Sequence, residues 1–214
     1  MTQSTNRRTI VDLPCLRRVV VVMAAIWATG VPLMPPPAIA QQQLVIRPVV
    51  ERKVAQLPPG PLYWRIERFA TLTEAEAAAG PTALAGEISG RVWLFTLGPW
   101  GGASPGGSKV AEIGPVPPVT APEYLLRINH ASGPPGARTP VHTHPGSEAF
   151  YVLAGRLGQR TPQGTHHADA GEAMNGHAAD TPMEVFSAGS VDLDQLVMFV
   201  VDATRPFSSP ARLE

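Results

Sequence analysis

The chain is poor in three things: cysteine, charge and long apolar runs. Its 214 residues include one cysteine, Cys15, so no intrachain disulfide can form and no thiolate cluster can hold a metal. Charged residues make 16%, well under the roughly 25% of an average domain. The 17 Lys and Arg balance the 17 Asp and Glu, so no net field draws nucleic acid or an anionic membrane surface. Aromatics make 6%, and no internal repeat is visible. What the chain has in quantity is turn-forming residues, 20 Gly and 24 Pro. That suits a fold of many short strands joined by many turns.

Residues 1–40 read as a signal peptide. Arg7, Arg8, Arg17 and Arg18 form a positive leader, Val19 to Trp27 is an unbroken apolar run, and Pro35-Pro36-Pro37 precedes the small-x-small pattern Ala38-Ile39-Ala40. The alternative, a membrane anchor, is disfavoured because spanning a hydrocarbon core takes about 20 apolar residues. Cleavage after Ala40 would give a secreted or periplasmic protein with no stable membrane insertion. It would remove four of the 17 basic residues and one of the 17 acidic ones, leaving 13 and 16, and it would remove Cys15. The mature chain then has no thiol, and any metal must be held by histidine, carboxylate or water.

Residues 41–60, polar and then broken by proline, read as a loosely held N-terminal arm, and residues 61–214 as one domain. Strand composition marks Leu62–Phe69, Arg91–Leu97, Glu123–Ala131, His142–His144, Glu148–Ala154, Thr165–Ala168, Glu184–Ser187 and Leu193–Val201. Thr73-x-x-Glu76 is a capping-box pattern that predicts one short helix over Glu74–Ala79. Gly98–Pro122 reads as a surface connection. The spacing predicts an all-β sandwich or barrel.

The chemistry concentrates in one stretch, Gly136 to Gly155. On a strand, residues two apart share a face, so His142 and His144 project together. Pro145-Gly146 is expected to turn the chain so that Glu148 faces back toward the pair. Two imidazoles and one carboxylate suit Fe(II), Mn(II), Zn(II) or Ni(II) and leave coordination positions open. Phe150 and Val152 share Glu148's face and should line an apolar cavity. His166 and His167 read as hairpin surface residues, only one of which can point inward, and His130 is placed to reach a barrel mouth.

This stretch resembles the first motif of the cupin superfamily: a Gly, five residues, His-x-His, three residues, Glu, six residues and a Gly, here Gly136, His142, His144, Glu148 and Gly155. The resemblance implies a cupin-type jelly-roll β-barrel, with a short N-terminal helix and extension, and a metal held by the three residues. The second family motif is degraded: counted from Gly171, its histidine position falls on Pro182 and its asparagine on Phe186. His177 is either the replacement fourth ligand or a solvent-facing loop residue. The resulting expectation is an exported barrel that holds one divalent transition metal and binds or acts on a small molecule, as an oxygenase or isomerase for example. The alternative is a non-catalytic binding barrel with a vestigial metal site. A homodimer is expected, with Leu62–Phe69 and Arg91–Leu97 available to cover sheet edges.

Overall fold

In the computed structural model, which describes residues 42–213, the chain runs β1 (Val45–Val54), β2 (Tyr63–Phe69), α1 (Leu72–Ala78), β3 (Ala83–Ile88), β4 (Arg91–Gly98), β5 (Ser108–Ile113) and β6 (Tyr124–Gly133). It continues through β7 (His142–Thr143), β8 (Gly146–Ala154), β9 (Arg156–Thr161), β10 (Gly164–Asp169), β11 (Ala173–Asn175), β12 (Glu184–Ser187), β13 (Leu193–Asp202) and β14 (Ser209–Pro210). The signal-peptide reading falls on residues outside those described. Among the described residues no helix is long and apolar enough to cross a membrane.

β13 explains the architecture. Its sequence Leu-Asp-Gln-Leu-Val-Met-Phe-Val-Val-Asp barely alternates, as expected of a strand covered on both faces. It lies at the centre of a five-stranded antiparallel sheet ordered β1-β6-β13-β8-β11. Leu193, Val197, Phe199 and Val201 face one way and pack with Phe150, Val152, Leu157 and Val185. Leu157 and Val185 belong to a second sheet, β10-β9-β12, so these two sheets enclose the jelly-roll core. Leu196, Met198 and Val200 face the other way, into a core shared with Trp64, Ile66, Trp93 and Phe95. Those four come from a third sheet, β3-β4-β2-β5, which covers the outer face of the barrel. The fold is all-β and of the jelly-roll type, with one added layer.

Several expectations are corrected. Half of the loose arm at 41–60 is β1, paired with β6 from Val45↔Ser132 to Val54↔Tyr124. Pro48 sits beside a register shift on this edge strand, where a residue without an N–H costs no ladder bond. The helix cap is two residues earlier than expected. Glu74 N–H donates to Thr71 Oγ1 at 3.2 Å and Thr71 N–H donates to Glu74 Oε2 at 3.1 Å. Thr71-x-x-Glu74 and Thr73-x-x-Glu76 fit the same pattern, and packing of Ala75 against the third sheet selects the earlier frame. Gly98–Pro122 contains β5, paired with β2. Its first part is pinned: Ser104 N–H and Oγ donate to the buried Glu67 carboxylate at 2.8 and 2.7 Å. Finally, β2 and β4 are interior strands of the chain's own third sheet, ordered β3-β4-β2-β5, so neither has a free edge to cover.

Candidate functional site

Register places the inward side chains in rows. Across β8, β13 and β6, Glu148, Phe199 and Arg127 form one row, Phe150, Val197 and Asn129 the next, and Val152, Gln195 and Ala131 the third. Glu148 thus enters the barrel from the central part of the sheet, on the same face as Phe150 and Val152. Tyr151 and Leu153 face the outer core. The turn after β8 needs Gly155, whose φ is +74°. Gly176 lies behind Glu148, where a Cβ would come within 2.7 Å of Glu148 Cγ and 2.2 Å of its carbonyl oxygen. No larger residue fits there without displacing the carboxylate.

The histidines arrive on a separate segment. His142 and Met183 exchange both backbone hydrogen bonds at 2.9 Å, which fixes His142 opposite the residue before β12. β7 is also paired with β14, so the C-terminal tail closes over the histidine segment. The chain bends at Pro145 and β8 begins at Gly146, so the expected turn is a single bend between two sheets.

Both imidazoles are oriented through Nδ1. His142 Nδ1–H donates to the Pro140 carbonyl at 2.8 Å, and His144 Nδ1–H donates to the Phe207 carbonyl at 2.6 Å. A carbonyl only accepts, so the proton is on Nδ1 and the lone pair of each neutral ring is on Nε2. The rings lie 4.9 Å apart at 86°. His144 is 4% exposed and is held between Phe199 and Phe207, at 4.9 and 4.8 Å. The Arg127 guanidinium caps the Phe207 ring at 4.4 Å.

Burial dominates the electrostatics. Loss of solvent lowers the His142 pKa, against the bond to Pro140, which raises it. It lowers the His144 pKa to about 4, helped by the charges of His142 and Arg127 and opposed by the bond to Phe207. It raises the Glu148 pKa to about 8, with the Gln159 hydrogen bond at 2.8 Å working the other way. The site therefore holds two neutral imidazoles beside a carboxyl that ionises only at a cost.

His142, His144 and Glu148 all line one cavity of about 520 Å³. Phe150, Val185, Val197 and Phe199 supply much of its wall. As the side chains stand, no group of three His, Cys, Asp or Glu among the described residues converges on one point to hold a metal ion. The three predicted residues share a cavity without being drawn together.

His177 does not line that cavity. The chain leaves the rim after Gly176, and His177 faces His166 with the rings 6.2 Å apart. Of the two readings of His177, fourth ligand or loop residue, this geometry is that of the loop residue. His167 is exposed over Phe186, and His130 Nε2 pairs with Asp194 Oδ1 at 2.5 Å rather than reaching the mouth. Inward alternation on β9 and β12 brings up residues that the sequence reading missed. Gln159 Nε2 lies 2.8 Å from Glu148 Oε1 and 3.5 Å from Met183 Sδ. A period-two reading of Arg156–Thr161 would have found Gln159; nothing in the sequence marks Phe207.

Among solved structures, cupin and double-stranded β-helix proteins align with the chain. A structure of DMSP lyases aligns at 19% identity over 41% of this chain and 44% of that one, with a TM-score of 0.35. The polyketide cyclase RemF from Streptomyces resistomycificus aligns at 23% over 42% and 62%, with a TM-score of 0.35. A cupin-like protein from Thermotoga maritima aligns at 16% over 40% and 64%, with a TM-score of 0.36. The chain spans less than two thirds of each of these three. No family model and no curated protein matches. The fold assignment rests on the strand pairing itself.

Proposed function

We propose that this chain, a jelly-roll barrel of the cupin type, is an exported protein that holds one divalent transition metal through His142, His144 and Glu148 and binds a small organic molecule in the same cavity. The observation that carries this reading is the pair of Nδ1 bonds to the Pro140 and Phe207 carbonyls. Metal-ligating histidines are commonly oriented by such a bond from the second ring nitrogen, which leaves the ligating lone pair fixed. Glu148, 2% exposed with one hydrogen-bonded oxygen, is the complementary anion, and a cation beside it would offset the cost of ionising it. The donor set, two nitrogens and one oxygen without sulfur, suits Fe, Mn, Zn or Ni.

When bound, the metal would supply Lewis-acid polarisation of a ligand oxygen at the open positions. The chain's own residues do the rest. Phe150, Val197 and Phe199 exclude water and favour an apolar body. Gln159 holds Glu148 in place, and Phe207 holds His144.

One observation favours the second reading, a binding barrel without a resident metal: the three groups do not converge as they stand. Elemental analysis of the protein purified from its exported fraction, with mass spectrometry of any retained small molecule, separates the two. The metal reading expects close to one equivalent of Fe, Mn, Zn or Ni. Metal-free protein that retains a metabolite favours the second reading.

A further inference from the structure

Gln195 is the one polar residue in the third inward row, between Ala131 and Val152. Its side chain lines the cavity, the residue is 1% exposed, and its Oε1 has no hydrogen-bond partner. Its neighbours on that face of β13, Leu193, Val197, Phe199 and Val201, are all apolar. A buried amide oxygen without a partner costs stability, and a leucine at this place would not incur that cost. Fold formation therefore gives no reason for glutamine here.

Its position gives one. Gln195 and Phe199 are four residues apart on β13, and Phe199 is the partner of Glu148. The two rows are separated by about 13 Å of strand, so polar groups reaching inward from each end leave a span on the order of 10 Å. In the row between them Phe150 and Val197 are apolar, and Asn129 is occupied by Arg127 Nε, which donates to its Oδ1 at 3.0 Å. The cavity has polar groups at both ends and a mainly apolar middle.

We propose that Gln195 is a ligand-recognition residue, and that the cavity takes an elongated, mainly apolar molecule with an acidic or metal-binding head at the His142, His144 and Glu148 end and a hydroxyl at the other, received by the Gln195 side-chain amide. The head-group half of this statement rests on the function proposed above; the donor half rests on Gln195 alone. A site built to pair with a donor discriminates against the isostere that lacks it, because the protein's own polar group is then left unpaired.

Two probes of equal length separate the halves. 8-Hydroxyoctanoate and nonanoate differ only in a terminal hydroxyl against a methyl. Calorimetry on zinc-loaded wild-type protein is expected to show the hydroxy acid binding about tenfold or more tighter, and Gln195→Leu is expected to reverse that order. His144→Ala tests the other half: if the metal reading holds it removes the zinc dependence of both affinities and leaves their ratio intact, whereas affinities independent of zinc in wild type would overturn the metal reading and leave the Gln195 ratio standing. The free protein gives an independent readout. Gln195→Leu, or the closer isostere Gln195→Met, is expected to raise Tm by about 2–4 °C, since the unpaired carbonyl is gone. A fall in Tm for both variants would make the amide structural and overturn the proposal. So would equal ratios in wild type and variant, or a wild type that binds neither probe.

Discussion

Glu148 and His144 are the residues whose charge the barrel opposes, and they pull stability in opposite directions with pH. The His144 pKa lies at about 4 in the folded chain, below its unfolded value, so stability is gained as pH rises from about 4 to 6.5. The Glu148 pKa lies at about 8, above its unfolded value, so the folded state favours the protonated acid. That contribution is present below pH 4.5 and is lost as pH rises toward 8. From pH 6.5 to 8 only the loss remains of these two. Metal-free protein is expected to lose on the order of 1–2 kcal/mol over that window, and Glu148→Gln, which cannot ionise, is expected to abolish the loss. Urea titrations at pH 6.5 and 8 measure it; an unchanged slope in Glu148→Gln would mean another group is responsible.

At the scale of elements, the tail that follows β13 is the part of the site with no sequence signature. β14 lies along β7, and the Phe207 carbonyl fixes the His144 tautomer. Removing residues 206–214 is expected to leave the barrel folded and to weaken zinc binding by about 10–100-fold, the usual cost of losing a group that orients a ligand. Calorimetry read beside far-UV circular dichroism checks this, and undiminished affinity would mean the tail has no orienting role.

The contrast with what the sequence made legible is physical. Glu184–Ser187 was readable as a strand to the residue, because β-branched and aromatic composition is local. That His142, His144 and Glu148 face one cavity was legible because alternation sets which way a strand side chain points. β1 was not, since Pro48 and its polar neighbours look like a linker until β6 supplies the partner. His177 stayed open between ligand and loop residue because a loop's direction depends on what it must clear, here the Glu148 side chain behind Gly176. Alternation along Arg156–Thr161 marks Gln159 as inward, but Phe207 lies 63 residues from the histidine it holds, beyond any local pattern.

At the scale of the molecule, a third sheet buries the outer face of β13 against Trp64, Trp93 and Phe95. The five-stranded sheet is therefore covered on its outer face, and the barrel meets solvent along its other sheet, where most of β10 is exposed. Cutting Met198 back to alanine should leave a cavity between those layers and cost about 2–5 kcal/mol, measurable by chemical denaturation; a cost under 1 kcal/mol would mean the layers close up without it. Export belongs to this scale too. N-terminal sequencing of the exported chain is expected to begin at Gln41, and a full-length chain held in the membrane fraction would contradict that reading.

The central claim is that His142, His144 and Glu148 form a metal site that His177 does not share. Calorimetric titration of Fe(II), Mn(II), Ni(II) and Zn(II) into metal-free wild type, His144→Ala and His177→Ala tests it most directly. The account predicts one equivalent bound by wild type, a loss in His144→Ala beyond the 10–100-fold of an orienting group, and unchanged affinity in His177→Ala. Equal, weak binding by wild type and His144→Ala would contradict it, as would a loss in His177→Ala as large as that in His144→Ala.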